Sequence, residues 1–208
     1  MYTSLSKDPR GRWNRQARKP GMRTSRVYRH FKTSSGESAT LRALKWEDLD
    51  DCVIFINDLV SEKSSEPDLG IVADRKQTRE EEAEWLASQI TGIERGSIVS
   101  VVAEIRGRLV GNSSVTRGSY EDTKHHGYLG IAISKKHRDR GIGLEMMRTL
   151  IHESRKAGLK TIELEVFATN PSAIHVYQRT GFKEAGRIPK KMLRNGKFID
   201  SIVMAREL

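Results

Sequence analysis

The segment Arg138–Gly143, which reads RDRGIG, constrains the fold more than any other feature of the chain. It follows an apolar run at Tyr128–Ile133 and opens an amphipathic stretch, Gly141–Ala157, in which apolar residues recur at helical intervals. A second β-rich run, Thr161–Phe167, comes next. This order of strand, glycine turn, helix and strand is typical of two parallel strands joined by a crossover helix.

The two glycines of this segment can serve an anion or merely a turn. Glycine lets backbone N–H groups approach a ligand closely, and the start of a helix favours negative charge. A Walker loop would need lysine and serine or threonine where Leu144 and Glu145 follow Gly143. A dinucleotide fingerprint would need a small residue at Met146. Both nucleotide loops are excluded, which leaves another phosphate cradle or a plain turn.

The rest of the chain is predicted from its hydrophobic periodicity and turn residues. The predicted strands are Ala39–Leu44, Ser97–Glu104, Leu109–Arg117, Tyr128–Ile133, Thr161–Phe167, Gly181–Ile188 and Phe198–Arg206. The predicted helices are Trp46–Val60, a segment from the capping box at Thr78 to Ile90, Gly141–Ala157 and Pro171–Thr180. This order predicts an α/β (α+β) fold with a mixed sheet and helices on its faces.

The net charge of +10 is concentrated at one end of the chain. Residues 1–32 carry ten lysines and arginines against one aspartate, so about +9 lies there and about +1 elsewhere. We therefore expect a basic extension over residues 1–36 and one domain over residues 37–208. Trp13 and other aromatic residues interleave with the cations, which suits nucleic-acid or ribosome contact. A solvated tail or a contact with a partner subunit, as in a homodimer, is the alternative.

Composition restricts the expected cellular location and excludes some kinds of disulfide and metal site. Cys52 is the single cysteine, which excludes an internal disulfide framework and a cysteine-rich zinc site. No metal site is expected. The start does not read as a signal peptide, and no apolar run approaches the ~20 residues of a membrane helix. A cytoplasmic protein without membrane contact is expected.

Two elements in order resemble the GNAT superfamily of N-acetyltransferases. The first is the strand Leu129–Ile133 followed by Arg-x-x-Gly-x-Gly, and the second is Asn170-x-x-Ala-x-x-x-Tyr177-x-x-x-Gly-Phe. The resemblance covers roughly residues 39–208. It implies a mostly antiparallel sheet with a splayed parallel strand pair, helices on both faces, and acetyl-CoA as the co-substrate of direct acetyl transfer to a primary amine.

The resemblance also assigns site residues. The cofactor's pantetheine arm would pair with the backbone of Ile131, Ala132 and Ile133. Its diphosphate would lie on the amides of Arg138, Asp139, Arg140, Gly141, Ile142, Gly143 and Leu144. Asn170 would bind the arm near its thiol end, and it can also cap the helix that starts at Pro171. The Tyr177 hydroxyl would lie near the sulfur and supply a proton to the leaving thiolate.

The general base is less sharply indicated than the cofactor site. One GNAT subgroup has a glutamate on the strand before the splay, and Gly127 stands there in this chain. The subgroup that acetylates ribosomal-protein N-termini has a glutamate five residues before the asparagine, which corresponds to Glu165. Glu165 is the predicted base, with His126 and Glu66 as the alternatives. Glu163 shares the strand face of Glu165, and either glutamate can instead be a solvated carboxylate on a half-exposed strand.

The resemblance favours a protein N-terminal α-amino group as the acceptor. Small amines are the alternative: a polyamine, an amino-acid-like compound or an antibiotic. For a polyamine, Glu62, Glu66 and Asp68 would line an acidic pocket. A further alternative is a nucleic-acid- or ribosome-associated binding module that has the fold but does not turn over.

Overall fold

The computed structural model describes residues 26–71 and 73–208. The strands are β1 (Val27–Lys32), β2 (Ser38–Arg42), β3 (Ile98–Ile105), β4 (Arg108–Arg117), β5 (His126–Ile133), β6 (Thr161–Phe167), β7 (Lys183–Arg194) and β8 (Lys197–Glu207). The helices are α1 (Leu49–Glu62), α2 (Arg79–Arg95), α3 (Ile142–Lys156) and α4 (Pro171–Arg179).

The described strands form one eight-stranded sheet in the order β1-β2-β3-β4-β5-β6-β8-β7. All neighbours are antiparallel except β5 and β6, which run parallel because α3 carries the chain back across the sheet. The predicted mixed, mostly antiparallel sheet with one parallel pair is therefore confirmed.

Helices cover both faces of the sheet, as predicted. On β3, Val101 and Ala103 belong to the core cluster shared with α3, whereas Val102 belongs to the cluster shared with α1 and α2. This alternation follows from the two-residue period of a strand, which sends successive side chains to opposite faces. None of the helices within the described ranges combines the length and apolarity needed to cross a membrane.

The parallel pair is splayed. β5 and β6 are in register only from His126 opposite Thr161 to Tyr128 opposite Glu163. Beyond that point β5 stays paired with β4 as far as Ile133, and β6 stays paired with β8. The edge of β5 that faces β6 is therefore open from residue 129 onward, and a cleft begins there.

The structure differs from the predicted domain boundary at residues 36 and 37. Val27–Lys32 forms β1, an edge strand that pairs with β2, and the turn between them closes at Gly36. A bulge between Val27 and Arg29 interrupts the alternation of the strand, so no two-residue period is visible in the sequence. The part of the predicted extension that spans residues 1–25 lies outside the described residues.

β7 is longer than predicted. It runs to Arg194, whereas the sequence suggested an end at Ile188. Its pairing with β8 shifts between Ile188 and Met192, where Pro189 lies and Lys190 has a φ of 52°. A bulge accommodates the proline at the sheet edge, and the strand then resumes.

Candidate active site

The glycine segment forms the predicted turn into α3. Gly141 precedes the first residue of the helix with a φ of 79°, a conformation that favours glycine, and Asp139 has a φ of 58°. The amide of Glu145 makes the first helical hydrogen bond, to the Gly141 carbonyl at 3.2 Å. The amides of Ile142, Gly143 and Leu144 precede it and have no acceptor within the helix. Unpaired donors of this kind suit an anion.

The two arginines of this segment are held by carboxylates. The Arg138 guanidinium donates to the Ile133 carbonyl at 2.9 Å and forms an ion pair with Glu62. Arg140 pairs with Glu37 at 2.6 Å. Both side chains therefore brace the loop against neighbouring elements, and the groups left for a diphosphate are the backbone amides.

The loop and the open edge of β5 border one cleft of about 1330 Å³. Residues 128–133 of β5 line it together with Arg138, Asp139, Gly141, Gly143 and Leu144. A Cβ at Gly143 would lie 3.2 Å from the Ile133 side chain, so glycine keeps the helix start close to the strand. We call the part of the cleft lined by residues 128–133, the glycine segment and α4 the glycine-loop half.

Tyr177 lies on α4 in the wall of this half. Its ring is buried and packs at a tilt against Phe182, with ring centroids 6.2 Å apart. Burial raises the pKa of Tyr177 to about 12. Among the described residues nothing hydrogen-bonds its hydroxyl. The phenol is therefore protonated over the physiological range and has its proton available to a group in the cleft.

Asn170 caps α4, as its position before Pro171 suggests. Its Oδ1 accepts from the Ala173 amide at 3.0 Å, and its Nδ2 donates to the Asp68 carbonyl at 3.1 Å. The side chain lines the cleft and ties the segment after α1 to the start of α4.

Glu165 lines the cleft from β6, opposite the glycine-loop half. Lys191 of β7 donates to its Oε1 at 2.6 Å, and the Ser201 hydroxyl donates to its Oε2 at 2.9 Å. The hydrogen bond from Lys191 is the main reason that the pKa of Glu165 lies below its ordinary value. The carboxylate is thus ionised at neutral pH and is already an acceptor.

The alternative bases, His126 and Glu66, and the neighbouring Glu163 occupy different places. Glu163 shares the outward face of β6 with Glu165 and lies 3.3 Å from His126 Nε2, where β5 and β6 part. The pKa of Glu66 is lowered by its hydrogen bond from Lys135, with which it pairs at 2.6 Å. Glu66 and His126 do not line the cleft within the described part of the chain, whereas Glu163 does.

The other half of the cleft is acidic. It is lined from α1, the segment after α1, α2 and the outward face of β6, and its ionisable side chains among the described residues are Asp68, Glu81, Glu82, Glu163 and Glu165. We call it the acidic half. The polyamine pocket expected from Glu62, Glu66 and Asp68 is wrong for the first two, because Arg138 and Lys135 draw those carboxylates to the glycine loop.

Glu82 was not predicted as a site residue because it follows a capping box. Glu81 and Thr78 form that box, and the next residue looks like one more acidic residue of a helix start. A signal was nevertheless present. Glu82 stands four residues before Leu86 and eight before Ile90, on the apolar stripe of α2.

Arg194 fixes the segment that walls the acidic half. Its guanidinium donates to the carbonyls of Pro67 at 3.1 Å and Ile71 at 2.8 Å, and also to the carbonyl of Leu69. It lies 5.0 Å from the Phe167 ring centroid. In the described ranges no carboxylate pairs with it, so this nearly buried cation is held by backbone oxygens.

An open strand edge beside a glycine cradle, with Asn170 and Tyr177 on the adjoining helix, is the arrangement that the resemblance implied. A family model described as the acetyltransferase (GNAT) family matches residues 58–182, more than half of the chain. The chain belongs to the GNAT family. It is therefore an acetyl-CoA-dependent N-acetyltransferase that acts on amines.

Known GNAT proteins resemble the chain to different extents. An L-amino acid N-acetyltransferase of Escherichia coli is 33% identical over 114 residues, which cover 54% of this chain and 70% of the relative. The ribosomal protein bS18-alanine N-acetyltransferase of Escherichia coli is 40% identical over 55 residues, 26% of this chain and 37% of that one. The solved ribosomal-protein-alanine N-acetyltransferase of Brucella melitensis is 25% identical, with a TM-score of 0.70, over 81% of this chain and 99% of that chain.

Proposed function

We propose that this GNAT enzyme acetylates the α-amino group of a peptide or protein N-terminus. The acidic half of the cleft carries this proposal, because five carboxylates line it among the described residues, and ion pairs with cations outside the lining compensate two of them, Glu81 with Arg75 and Glu165 with Lys191. Such a surface attracts an ammonium group and repels a carboxylate. A peptide N-terminus has an ammonium group with no carboxylate beside it, since the carboxyl of its first residue is in a peptide bond.

The residues around the reacting amine fit an α-amino group better than an alkyl amine. An α-amino group has a pKa near 7.7–8.0, so roughly a third of it is neutral at pH 7.5, against about 0.1% for an amine with a pKa near 10.4. Because the pKa of Glu165 is lowered, its carboxylate is a weak base. A weak base is sufficient for an acceptor that sheds its proton readily.

The chemical roles follow from the two walls of the cleft. Acetyl-CoA supplies an acetyl thioester; its diphosphate would be held by amides of residues 139–144 and its pantetheine arm by the open edge of β5. The Arg138 amide is not included, because it donates to the Lys135 carbonyl at 3.3 Å. Glu165 takes the proton that the ammonium group loses, and backbone N–H groups of β5 stabilise the oxyanion. The C–N bond forms, the C–S bond breaks, and Tyr177 gives a proton to the thiolate. The acetylated nitrogen loses its second proton, which restores the phenol through water, and the proton on Glu165 passes to solvent.

A free L-amino acid is the second candidate acceptor. The Escherichia coli relative that is 33% identical carries this substrate in its name. The ion pair between Glu165 and Lys191 also offers both signs of charge at one place, and a zwitterion could exchange with it. This acceptor would have to bring its carboxylate past the acidic half.

A matched series of acceptors separates the two proposals. Release of coenzyme A thiol is measured with L-alanine, L-alaninamide and the tripeptide Ala-Ala-Ala-amide at equal concentration. We expect kcat/KM to rise at least about tenfold from alanine to alaninamide and again to the tripeptide. A higher kcat/KM for alanine than for its amide would replace the peptide with a free amino acid. No thiol release with any of the three would contradict an α-amino acceptor.

The basic residues 1–25 remain a separate proposal. Nucleic-acid or ribosome contact through them would bring the enzyme to newly made proteins in the cytoplasm. Seven lysines and arginines against one aspartate in this stretch support a polyanionic partner. Removal of residues 1–25 should weaken retention on ribosomes at low salt and leave turnover of the tripeptide unchanged. Equal retention of both forms would exclude this role, and homodimer formation stays a prediction.

A further inference from the structure

Glu82 occupies a position on α2 that is otherwise apolar. Leu86 and Ile90, four and eight residues further on, are each 1% exposed and pack in the core cluster between α1, α2 and the sheet. Glu82 lies on the same face and is 7% exposed. A carboxylate on a core stripe is uncommon because its desolvation is costly unless a partner compensates.

No such partner is found for Glu82 within residues 26–71 and 73–208. Three nearby acids are compensated: Glu81 pairs with Arg75, Asp51 pairs with Arg108, and Asp50 pairs with Arg79. Burial alone raises the pKa of Glu82. The carboxyl group is thus under-compensated in the free protein, and a cation would relieve the cost of its burial.

The side chain of Glu82 lines the cleft. Trp85 of the same helix and Cys52 and Phe55 of α1 line the same cleft, and all three belong to or pack against the core cluster that contains Leu86. Aromatic faces and a carboxylate around one open volume are the groups that bind ammonium and guanidinium ions. An anionic or purely apolar ligand would leave the carboxylate without compensation.

We propose that Glu82 is the docking carboxylate for a second positive group of the acceptor, apart from the amine that reacts. The inference rests on the proposed function and narrows it. The acceptor would be an α-amino compound that also carries an ammonium or guanidinium group, as a peptide with lysine or arginine near its N-terminus does. Glu165 serves the reacting amine, Tyr177 serves the leaving thiolate, and Glu82 selects what is attached to the amine.

The test compares tripeptide amides that differ only in this charge. Ala-Lys-Ala-amide and Ala-Ala-Lys-amide are compared with the same peptides containing norleucine, which has a similar apolar stem without the ammonium. For the better placed lysine, we expect KM in the wild type to be at least about tenfold lower than for its norleucine partner. In Glu82→Gln the ratio should fall close to one. Glu84→Gln, an exposed neighbour on α2, should keep the wild-type ratio.

Melting temperature gives a second readout that does not depend on turnover. Glu82→Met places an apolar side chain on the core stripe and should melt at a higher temperature than the wild type, because an uncompensated carboxyl is removed. It should also lose the lysine preference. A lower melting temperature together with an unchanged KM ratio would show that Glu82 is a structural residue and overturn the proposal. So would equal KM values for lysine and norleucine peptides in the wild type.

Failure of the proposed function would look different. Thiol release with the norleucine peptides establishes an α-amino acceptor whatever Glu82 does. If no peptide reacts, calorimetric titration with 1,4-diaminobutane still tests the cation site. Binding to the wild type and Glu84→Gln, at least about tenfold weaker in Glu82→Gln, would support the site, and equal affinity for all three proteins would exclude it.

Discussion

The two halves of the cleft are built by different means. The glycine-loop half presents backbone: the open edge of β5 and the amides before Glu145, while Arg138 and Arg140 are turned to Glu62 and Glu37. The acidic half presents side chains from α1, α2, β6 and the segment that Arg194 holds. A backbone site depends on local conformation and little on side-chain identity, whereas a side-chain site can change with each substitution. We therefore expect the first half to serve the common co-substrate and the second to set the acceptor.

The largest effect is expected from Tyr177→Phe. The hydroxyl is the side-chain group of the glycine-loop half that this mechanism assigns to chemistry, and a general acid contributes about 10²–10⁴-fold. We expect kcat to fall about 100-fold while the KM for acetyl-CoA stays near the wild-type value. Tyr128→Phe, which alters an exposed phenol in the same cleft, is the matched control. Unchanged kcat in Tyr177→Phe would remove the phenol from the mechanism.

Glu165→Gln should lower kcat/KM at low pH more than at high pH. The pKa of the carboxyl is lowered, so the base is ionised at neutral pH and is lost only as the pH falls through that lowered pKa. Removing it should cost about tenfold in kcat/KM near pH 6.5, where most acceptor is protonated, and much less near pH 9. Glu163→Gln changes the same strand face two residues away and should show no such dependence. A loss in Glu165→Gln that is equal at every pH would indicate packing.

Gly141→Ala should affect the co-substrate specifically. At a φ of 79° an alanine is strained by roughly 1–2 kcal/mol, and its Cβ would lie beside the cradle. The KM for acetyl-CoA should rise about tenfold with little change in the KM for the acceptor. Gly158→Ala is the control, because it carries the same strain, at a φ of 87°, beyond the other end of α3. If both variants change the KM for acetyl-CoA equally, the effect comes from helix stability.

Arg194→Met should act on the acceptor alone and by the smallest amount. Without the guanidinium, three carbonyls of the segment 67–71 lose their donor, and the wall of the acidic half loosens. We expect the KM for the acceptor to rise about fivefold, the KM for acetyl-CoA to stay constant, and Arg194→Lys to recover part of the loss. Arg117→Met is the control, since Arg117 also holds three carbonyls but does not line or wall the cleft. Equal increases in both KM values would point to general destabilisation.

The strand, the turn and the helix start of the glycine-loop half could be predicted from the sequence because they are contiguous, whereas the roles of Asn170 and Tyr177 came from the resemblance to the GNAT family and stay predictions. The strand, the turn and the helix start occupy residues 128–144, and their periods and glycines are visible locally. The acidic half depends on contacts across the chain: Glu165 meets Lys191 over 26 positions, and Arg194 meets Ile71 over 123. No local period encodes such pairs. β1 was missed for a related reason, since a bulge hides its alternation.

Because β5 and β6 are splayed, we expect the stability of the protein to depend on the concentration of acetyl-CoA. Three register pairs join a five-stranded part of the sheet to a three-stranded part, and beyond them β5 and β6 are no longer paired. A pantetheine arm that pairs with β5 would supply hydrogen bonds to the edge of β5 that β6 leaves open. By mass action, acetyl-CoA at 100 times its Kd would add about 2.7 kcal/mol to the free energy of unfolding. Amide hydrogen exchange should therefore slow along residues 129–133 when acetyl-CoA is abundant.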